Sequence, residues 1–331
     1  MDHQQRSLRA GAWVIFCALV LRLWAAGFFQ PVAAFLAQPK ISSFLIYLET
    51  GRIVRFSASD GAYSAVFAGE SSVPDFGGAE QARPSFTRED AAEIEVRYNC
   101  THRPDLGELI TRSLTWDLTG SEPTVLILHT HATESYTKQP GERYQESAAF
   151  RTLDEAHNMI SVGEHLAELL QSGGITVLHD RTLHDYPSYN GSYSAARKAM
   201  DNWLEEYPTI SLVLDLHRDA SGDNDNQMKT RATVAGQSSA QLMLVVGTNY
   251  ETWQENLSLA LKFQVRLEDH APGICRYINL RSQRFNQDKS PGALLVEVGA
   301  AGNTHAEALT AVEVLAEAIL DLKKGAENPA A

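Results

Sequence analysis

The sequence predicts an α/β domain built on a single, mostly parallel sheet flanked by helices. Two observations carry that prediction. From residue 124 onward, short apolar runs rich in branched residues alternate with amphipathic stretches. Polar residues with chemistry to offer then stand where several of those runs end, as active groups do in open α/β sheets. The runs place strands near 124–130, 175–179, 210–216, 241–247 and 293–298. Between them Met159, Val162, Leu166 and Leu169 fall at helical spacing, as do Tyr193, Ala196, Met200 and Trp203, and then Trp253, Leu257, Ala260 and Leu261. A last helix, striped by Leu309, Val312, Ala316 and Ile319, is announced by Thr304 and Glu307 at capping-box spacing. Each stripe reads as core.

The chain ahead of this domain is organised differently. Residues 11–37 carry a single charge, Arg22, and are long enough for a helix crossing a bilayer core of roughly 20 apolar residues. Arg6 and Arg9 precede the segment, favouring a cytoplasmic N-terminus and export of the rest of the chain. Residues 1–40 are therefore expected to be an uncleaved anchor, although Val32-Ala33-Ala34 has the small-residue character of a cleavage site. The expected location is the cell membrane, single-pass, with the bulk of the chain extracytoplasmic. Residues 41–119 read as linker and lead-in: 56–88 are rich in Ser, Ala and Gly, and only Ile94, Val96 and Tyr98 alternate like a short strand. Residues 120–324 form the expected domain and 325–331 a tail.

Composition narrows the function classes. Apolar residues make up 44% of the chain, enough for a sizeable core, and a formal charge of -13 argues against a nucleic-acid partner. Cys17, Cys100 and Cys275 are widely spaced and form no Cys-x-x-Cys, so free thiols are expected.

The strand ends converge on one kind of chemistry. The run TVLILHTHATESY delivers His129, His131 and Glu134; two residues apart, the histidines share a face if the extended chain continues through them. The run ISLVLDLHRDA ends in Asp215, His217, Arg218 and Asp219, with Asp215 and His217 on the face opposite Leu212, Leu214 and Leu216. Glu297 lies within LLVEV, where an unpaired carboxylate would cost several kcal/mol, so it needs zinc, an imidazole or an arginine beside it. A hydrolytic zinc site uses three ligands from His, Glu and Asp, a water and a nearby carboxylate. Glu134, Asp154 and Glu155 are the candidates for the third ligand; Thr152 to Glu155 also has capping-box spacing, which would give Glu155 a structural task.

HTHATESY at 129–136, DLHRDA at 215–220, VVGTN at 245–249 and NQDKSPGALLVEVGAAGNTHAEA at 286–308 together resemble the stage II sporulation protein P family, over about residues 120 to 322. The resemblance implies a zinc amidase-like fold and a zinc-dependent peptidoglycan hydrolase. Its implied activity is N-acetylmuramoyl-L-alanine amidase with an associated endopeptidase, acting in septal wall thinning and engulfment during endospore formation. It implies a membrane-anchored lytic transglycosylase and a polytopic membrane protein as partners. Carried onto this chain, it gives His131, Glu155 and His217 as zinc ligands and Glu297 as the catalytic carboxylate. His129 and Glu134 are left in reserve, with Arg218 as a contact for a substrate carboxylate. The zinc amidases similar to this family place glycines around the first histidine, where this chain has Thr130, Ala132 and Thr133. A catalytically idle wall-binding scaffold and a zinc carboxypeptidase acting on stem peptides are the rival readings.

Overall fold

The computed structural model describes residues 54–59, 62–67, 84–220, 222 and 227–327. The expected anchor at 11–37 lies outside the described residues; among those that are described, no helix is long and apolar enough to cross a membrane. The chain divides into two compact units, Met1–Gln81 and Ala82–Ala331.

In the first unit β1 (Val54–Ser59) pairs antiparallel with β2 (Ala62–Phe67). The sequence between them is Asp60-Gly61, a pair suited to a two-residue hairpin turn. This hairpin falls partly within the stretch read from sequence as featureless linker.

The second unit begins earlier than residue 120. Helix α1 (Arg88–Ala92), strand β3 (Val96–Asn99) and helix α2 (Leu106–Ile110) precede β4 (Val125–Leu128). A small hairpin of β5 (Glu146–Ala148) and β6 (Arg151–Thr152) comes next, then a 3-10 turn at Glu155–His157 and helix α3 (Met159–Ser172). Beyond it lie β7 (Val177–His179), α4 (Ser192–Glu206) and β8 (Leu212–Asp219). The hairpin of β9 (Ala232–Val234) and β10 (Gln237–Ser239) leads to β11 (Leu242–Gly247) and α5 (Trp253–His270). β12 (Ile278–Arg281), a 3-10 turn at Gln287–Lys289, β13 (Ala293–Ala300) and α6 (His305–Asp321) complete it.

The expected sheet is present, with an addition and a reversal. Among the described residues it has seven strands in the order β3-β12-β11-β13-β8-β4-β7. All neighbours run parallel except β11 and β13, which are antiparallel. β12 was not anticipated, and β3 belongs to the main sheet by pairing with it. The C-terminal stretch also returns to the domain, since Leu114 exchanges backbone bonds with Ala326.

One face of the sheet carries the large core, where Ile127, Leu212, Leu214, Leu216, Leu244, Val246, Leu294 and Val296 meet α3, α5 and α6. On the other face α4 packs Ala196 and Met200 against Leu126, Leu128 and Val213. Beyond α4 that face has Met243, Val245 and Leu295, backed among the described residues by the half-buried Tyr277 and Phe285. The sheet therefore has an open flank, and the site lies there. Helix α6 starts as expected, with Thr304 and Glu307 forming a complete capping box. Helix α3 does not start at Thr152: Asn158 caps it by accepting from the Ile160 amide, while Asp154 caps the separate 3-10 turn. Cys100 and Cys275 are free thiols.

Candidate active site

The centre of the site is a cross-strand pair. β8 and β13 run parallel with Glu297 in register with His217 and Leu295 with Asp215, so His217 and Glu297 stand side by side on the open face. Strand pairing sets such neighbours about 5 Å apart. Asp215, two residues earlier on the same face, accepts from the Thr130 amide at 2.8 Å and the Thr130 hydroxyl at 2.6 Å. Its Oδ1 also lies 3.0 Å from His217 Nε2. A buried carboxylate behind a histidine fixes the ring's orientation and raises its basicity.

β4 ends at Leu128, and Thr130–Thr133 turn instead of continuing the strand. The two histidines consequently part company. His131 enters the open flank, where its ring stacks on Tyr189 at 4.6 Å and meets the His217 ring edge-on at 5.2 Å. His129 keeps the alternation of Val125 and Ile127 and points into the layer beneath α3. There Nδ1 lies 3.2 Å from the Leu216 carbonyl and Nε2 lies 2.9 Å from His179 Nε2. Gly163 of α3 makes room for both rings: a Cβ there would lie 2.5 Å from His129 Nε2 and 2.6 Å from His179 Nε2. The shared face expected for His129 and His131 is thus not formed.

The turn ends at Glu134, which is 3% exposed and enters the cluster. Its Oε2 lies 3.8 Å from His217 Nδ1 and accepts from the Arg218 amide at 3.3 Å, while Oε1 accepts from Arg151 at 3.2 Å. Glu155, the ligand implied by resemblance, does not join. It opens the exposed 3-10 turn and accepts from Arg181 at 2.6 Å; Arg181 also holds Glu164, which in turn bonds His179. The reason is the start of α3: because the helix begins at Met159, Glu155 sits on a separate turn facing Arg181. Arg218 is committed as well, donating from Nε to the Ser135 carbonyl at 3.0 Å and from Nη2 to the Phe150 carbonyl at 2.9 Å. It clamps the 134–150 segment.

His131, Glu134, His217, Arg218 and Glu297 line one cleft of about 330 Å³, together with Tyr189, Tyr193, Asn279 and Arg281. A larger cavity of about 870 Å³, lined by Asp90, Glu95, Gln264 and Glu268, shares among the described residues only Tyr277 with it and has no histidine among them. Sequence reading missed Tyr189 and Asp185. Asp185 accepts from the Thr133 hydroxyl at 2.6 Å and from Arg151 at 2.5 Å, tying the loop that carries Tyr189 to the histidine turn. No periodic pattern marks that loop, and its exposed tyrosines were the available signal.

The cleft's ionisation is strongly shaped by burial. Burial lowers His131 to about 4. It also opposes charge on His217, but Asp215, Glu134 and Glu297 outweigh it and raise the ring to about 9. Burial lifts the Glu297 carboxyl to about 8, with Glu134 adding to the effect and His217 opposing it. His131 Nδ1 and Glu297 Oε2 are buried without a hydrogen-bond partner, while His217 turns Nε2 to Asp215 and leaves Nδ1 toward Glu134 at 3.8 Å. Two imidazoles and a carboxylate are donors of the kind zinc takes, and these orphaned atoms fit a group that would engage them. As the side chains stand, no three His, Cys, Asp or Glu among the described residues are gathered closely enough to hold a metal ion.

These environments set a pH dependence for the chelated chain. His217 contributes stability that is full below about 6.5 and lost as pH rises through about 9. Glu297, raised from 4.5 to about 8, likewise withdraws stability as pH rises through that interval. His131, lowered to about 4, removes stability as pH falls below 6.5. The thermal midpoint in chelator is expected to fall from pH 6.5 toward pH 9, while below pH 6.5 the Glu297 and His131 contributions oppose one another, read by melting curves from pH 5 to 9. A flat or rising alkaline limb would contradict these environments.

Fold and site together define a class: a mixed α/β protein with a histidine and carboxylate cleft at its strand ends. The stage II sporulation protein P (SpoIIP) family description matches residues 73–320, and the chain belongs to that family. It is 28% identical over 224 residues to the stage II sporulation protein P of Bacillus subtilis (strain 168), covering 63% of this chain and 53% of that protein. The chain thus spans about half the length of the curated relative it matches. Among solved structures it is similar to the N-acetylmuramoyl-L-alanine amidase AmiC2 of Nostoc punctiforme, with 12% identity, 61% and 97% coverage and a TM-score of 0.37. It is also similar to the CwlD amidase from Clostridioides difficile in complex with the GerS lipoprotein, with 14% identity, 61% and 97% coverage and a TM-score of 0.35.

Proposed function

We propose that the chain is a zinc-dependent peptidoglycan hydrolase that cleaves the amide between N-acetylmuramic acid and L-alanine. The single observation that carries this is the in-register His217 and Glu297 pair, facing His131 across a cleft in which His131 and Glu297 each keep a buried atom without a hydrogen-bond partner. Membership of the sporulation family supports the biological setting. His131, His217 and Glu134 would hold the metal, Glu134 taking the place that resemblance gave to Glu155. When bound, zinc supplies a water acidified to a pKa of about 7 and polarises the scissile carbonyl.

The chain's own residues do the rest. Glu297 accepts the attacking water's proton at Oε2 and returns it to the departing amine, so no covalent acyl intermediate is needed. Asp215, held by Thr130, keeps His217 oriented. Tyr189 and Tyr193 wall off the His131 ring. In this reading the N-terminal segment anchors the enzyme in the cell membrane with its cleft extracytoplasmic. There it thins septal wall during engulfment alongside a lytic transglycosylase and a polytopic membrane protein.

The test is product analysis after purified sacculi are digested with the zinc-loaded full chain. New L-alanine amino termini on intact stem peptides are the expected products. Cuts confined to bonds between stem residues would replace the amidase reading with an endopeptidase or carboxypeptidase.

A further inference from the structure

The cleft continues across the sheet past Glu297, and its far side is built by β12. Ile278 and Leu280 face the core, which turns Tyr277, Asn279 and Arg281 toward the cleft. The register steps across from Glu297 to Met243 on β11, then from Val245 to Asn279 and from Gly247 to Arg281. β12 is two strands, about 10 Å, from β13, and Gly247 lies four residues along β11 from Met243, so the Glu297 and Arg281 backbones are about 16 Å apart on the diagonal.

The charges of the cleft are unevenly committed. Arg218 is bound to two backbone carbonyls beside Glu134, and Arg276 is paired with Asp219 at 2.7 Å. Arg151, behind the cluster, bridges Glu134 and Asp185. Arg281 differs. Its Nε donates to Gln283 Oε1 at 3.2 Å, and its Cζ lies 5.8 Å from the Phe285 ring centre. Among the described residues it has no ion pair, and it is exposed to the cleft. Beside it, the Asn279 side-chain oxygen is taken by the Asn99 amide at 2.8 Å, which leaves the Asn279 NH2 as a donor. Carboxylates crowd the β8 and β13 end, so an anionic group of a substrate is repelled there and accepted at β12.

We propose that Arg281, assisted by Asn279, is a carboxylate-recognition subsite for a peptide whose free carboxylate lies about three residues from the bond being cut. The spacing comes from the roughly 16 Å diagonal between Glu297 and Arg281, shortened by about 6 Å of arginine side-chain reach, and the 3.3–3.6 Å that each extended residue spans. A guanidinium can grip such a carboxylate with two parallel bonds. The proposal rests on the hydrolase reading, and it makes Arg281 a determinant of substrate choice rather than of the chemical step.

The experiment uses the full chain and two synthetic muramyl peptides that differ only in carrying a carboxylate or a carboxamide at that distance. The wild type is expected to show a KM about tenfold lower for the carboxylate, with kcat within about twofold, the scale of one charge-assisted pair. Arg281→Gln should erase the difference by raising KM for the carboxylate peptide alone, and Arg281→Lys should restore part of it. An equal preference in wild type and Arg281→Gln overturns the subsite while leaving the hydrolase intact. Binding of both peptides to Glu297→Gln, with and without Arg281→Gln, separates the two ideas. Carboxylate-dependent binding that needs Arg281 upholds the subsite even if neither peptide is cleaved, and equal or absent binding of the two sinks it.

Discussion

Glu297→Gln is expected to keep zinc and to lose amide hydrolysis by a factor of about 100 or more, the scale of a missing general base. That is about 2.7 kcal/mol on the barrier. The change is close to isosteric, and it removes a buried carboxyl whose Oε2 has no partner, so the β8 and β13 pairing should survive it. An amide cannot accept the water's proton or hand it on to the leaving amine. Zinc per chain by elemental analysis and amine release from a muramyl peptide measure the two halves. Full activity in this variant would remove Glu297 from the chemistry.

His217→Ala is expected to release the metal. Loss of an orienting partner already weakens metal sites by roughly 10–100-fold, and loss of a ligand should exceed that. Asp215→Asn should fall within that range, because it disturbs the group behind the ring without removing the ring. The carboxylates give the sharper contrast. Glu134→Gln should lower zinc occupancy after dialysis, whereas Glu155→Gln, at an exposed ion pair with Arg181, should leave it unchanged. Undiminished zinc in His217→Ala would remove His217 from the ligand set, and loss of zinc in Glu155→Gln would return that residue to it.

Much of this was legible in the sequence because the runs that bear the site are those with the strongest apolar patterning. β4, β8, β11 and β13 each lie within or close to the stretches expected for them, and their ends carry His131, His217 and Glu297 into one cleft. Two departures from expectation have physical causes. Glu155 stands apart from the cleft because the start of α3 is displaced by a 3-10 turn, and helix starts are set by caps that compete over a few residues. β12 was overlooked because Ile278 and Leu280 are only two apolar positions in a four-residue strand, too few to stand out. The alternation of Tyr277, Asn279 and Arg281 against them was nonetheless present. The divergence of His129 from His131 needed the turn at Thr130, which depends on Asp215, 85 residues away in sequence. Such long-range bonds leave no local pattern.

The site is divided between two kinds of support. His217 and Glu297 belong to paired central strands, while His131 and Glu134 ride on a turn tied through Asp185 and Arg151 to the loop that carries Tyr189. If zinc binds as proposed, the strand-borne half is preorganised, and the conformational entropy lost on binding falls on the turn. Metal affinity is then separable from global stability. A molecule gripping the 181–191 loop would tune zinc occupancy by ordering or loosening that turn, with the sheet acting as a fixed anvil against which the adjustable half closes.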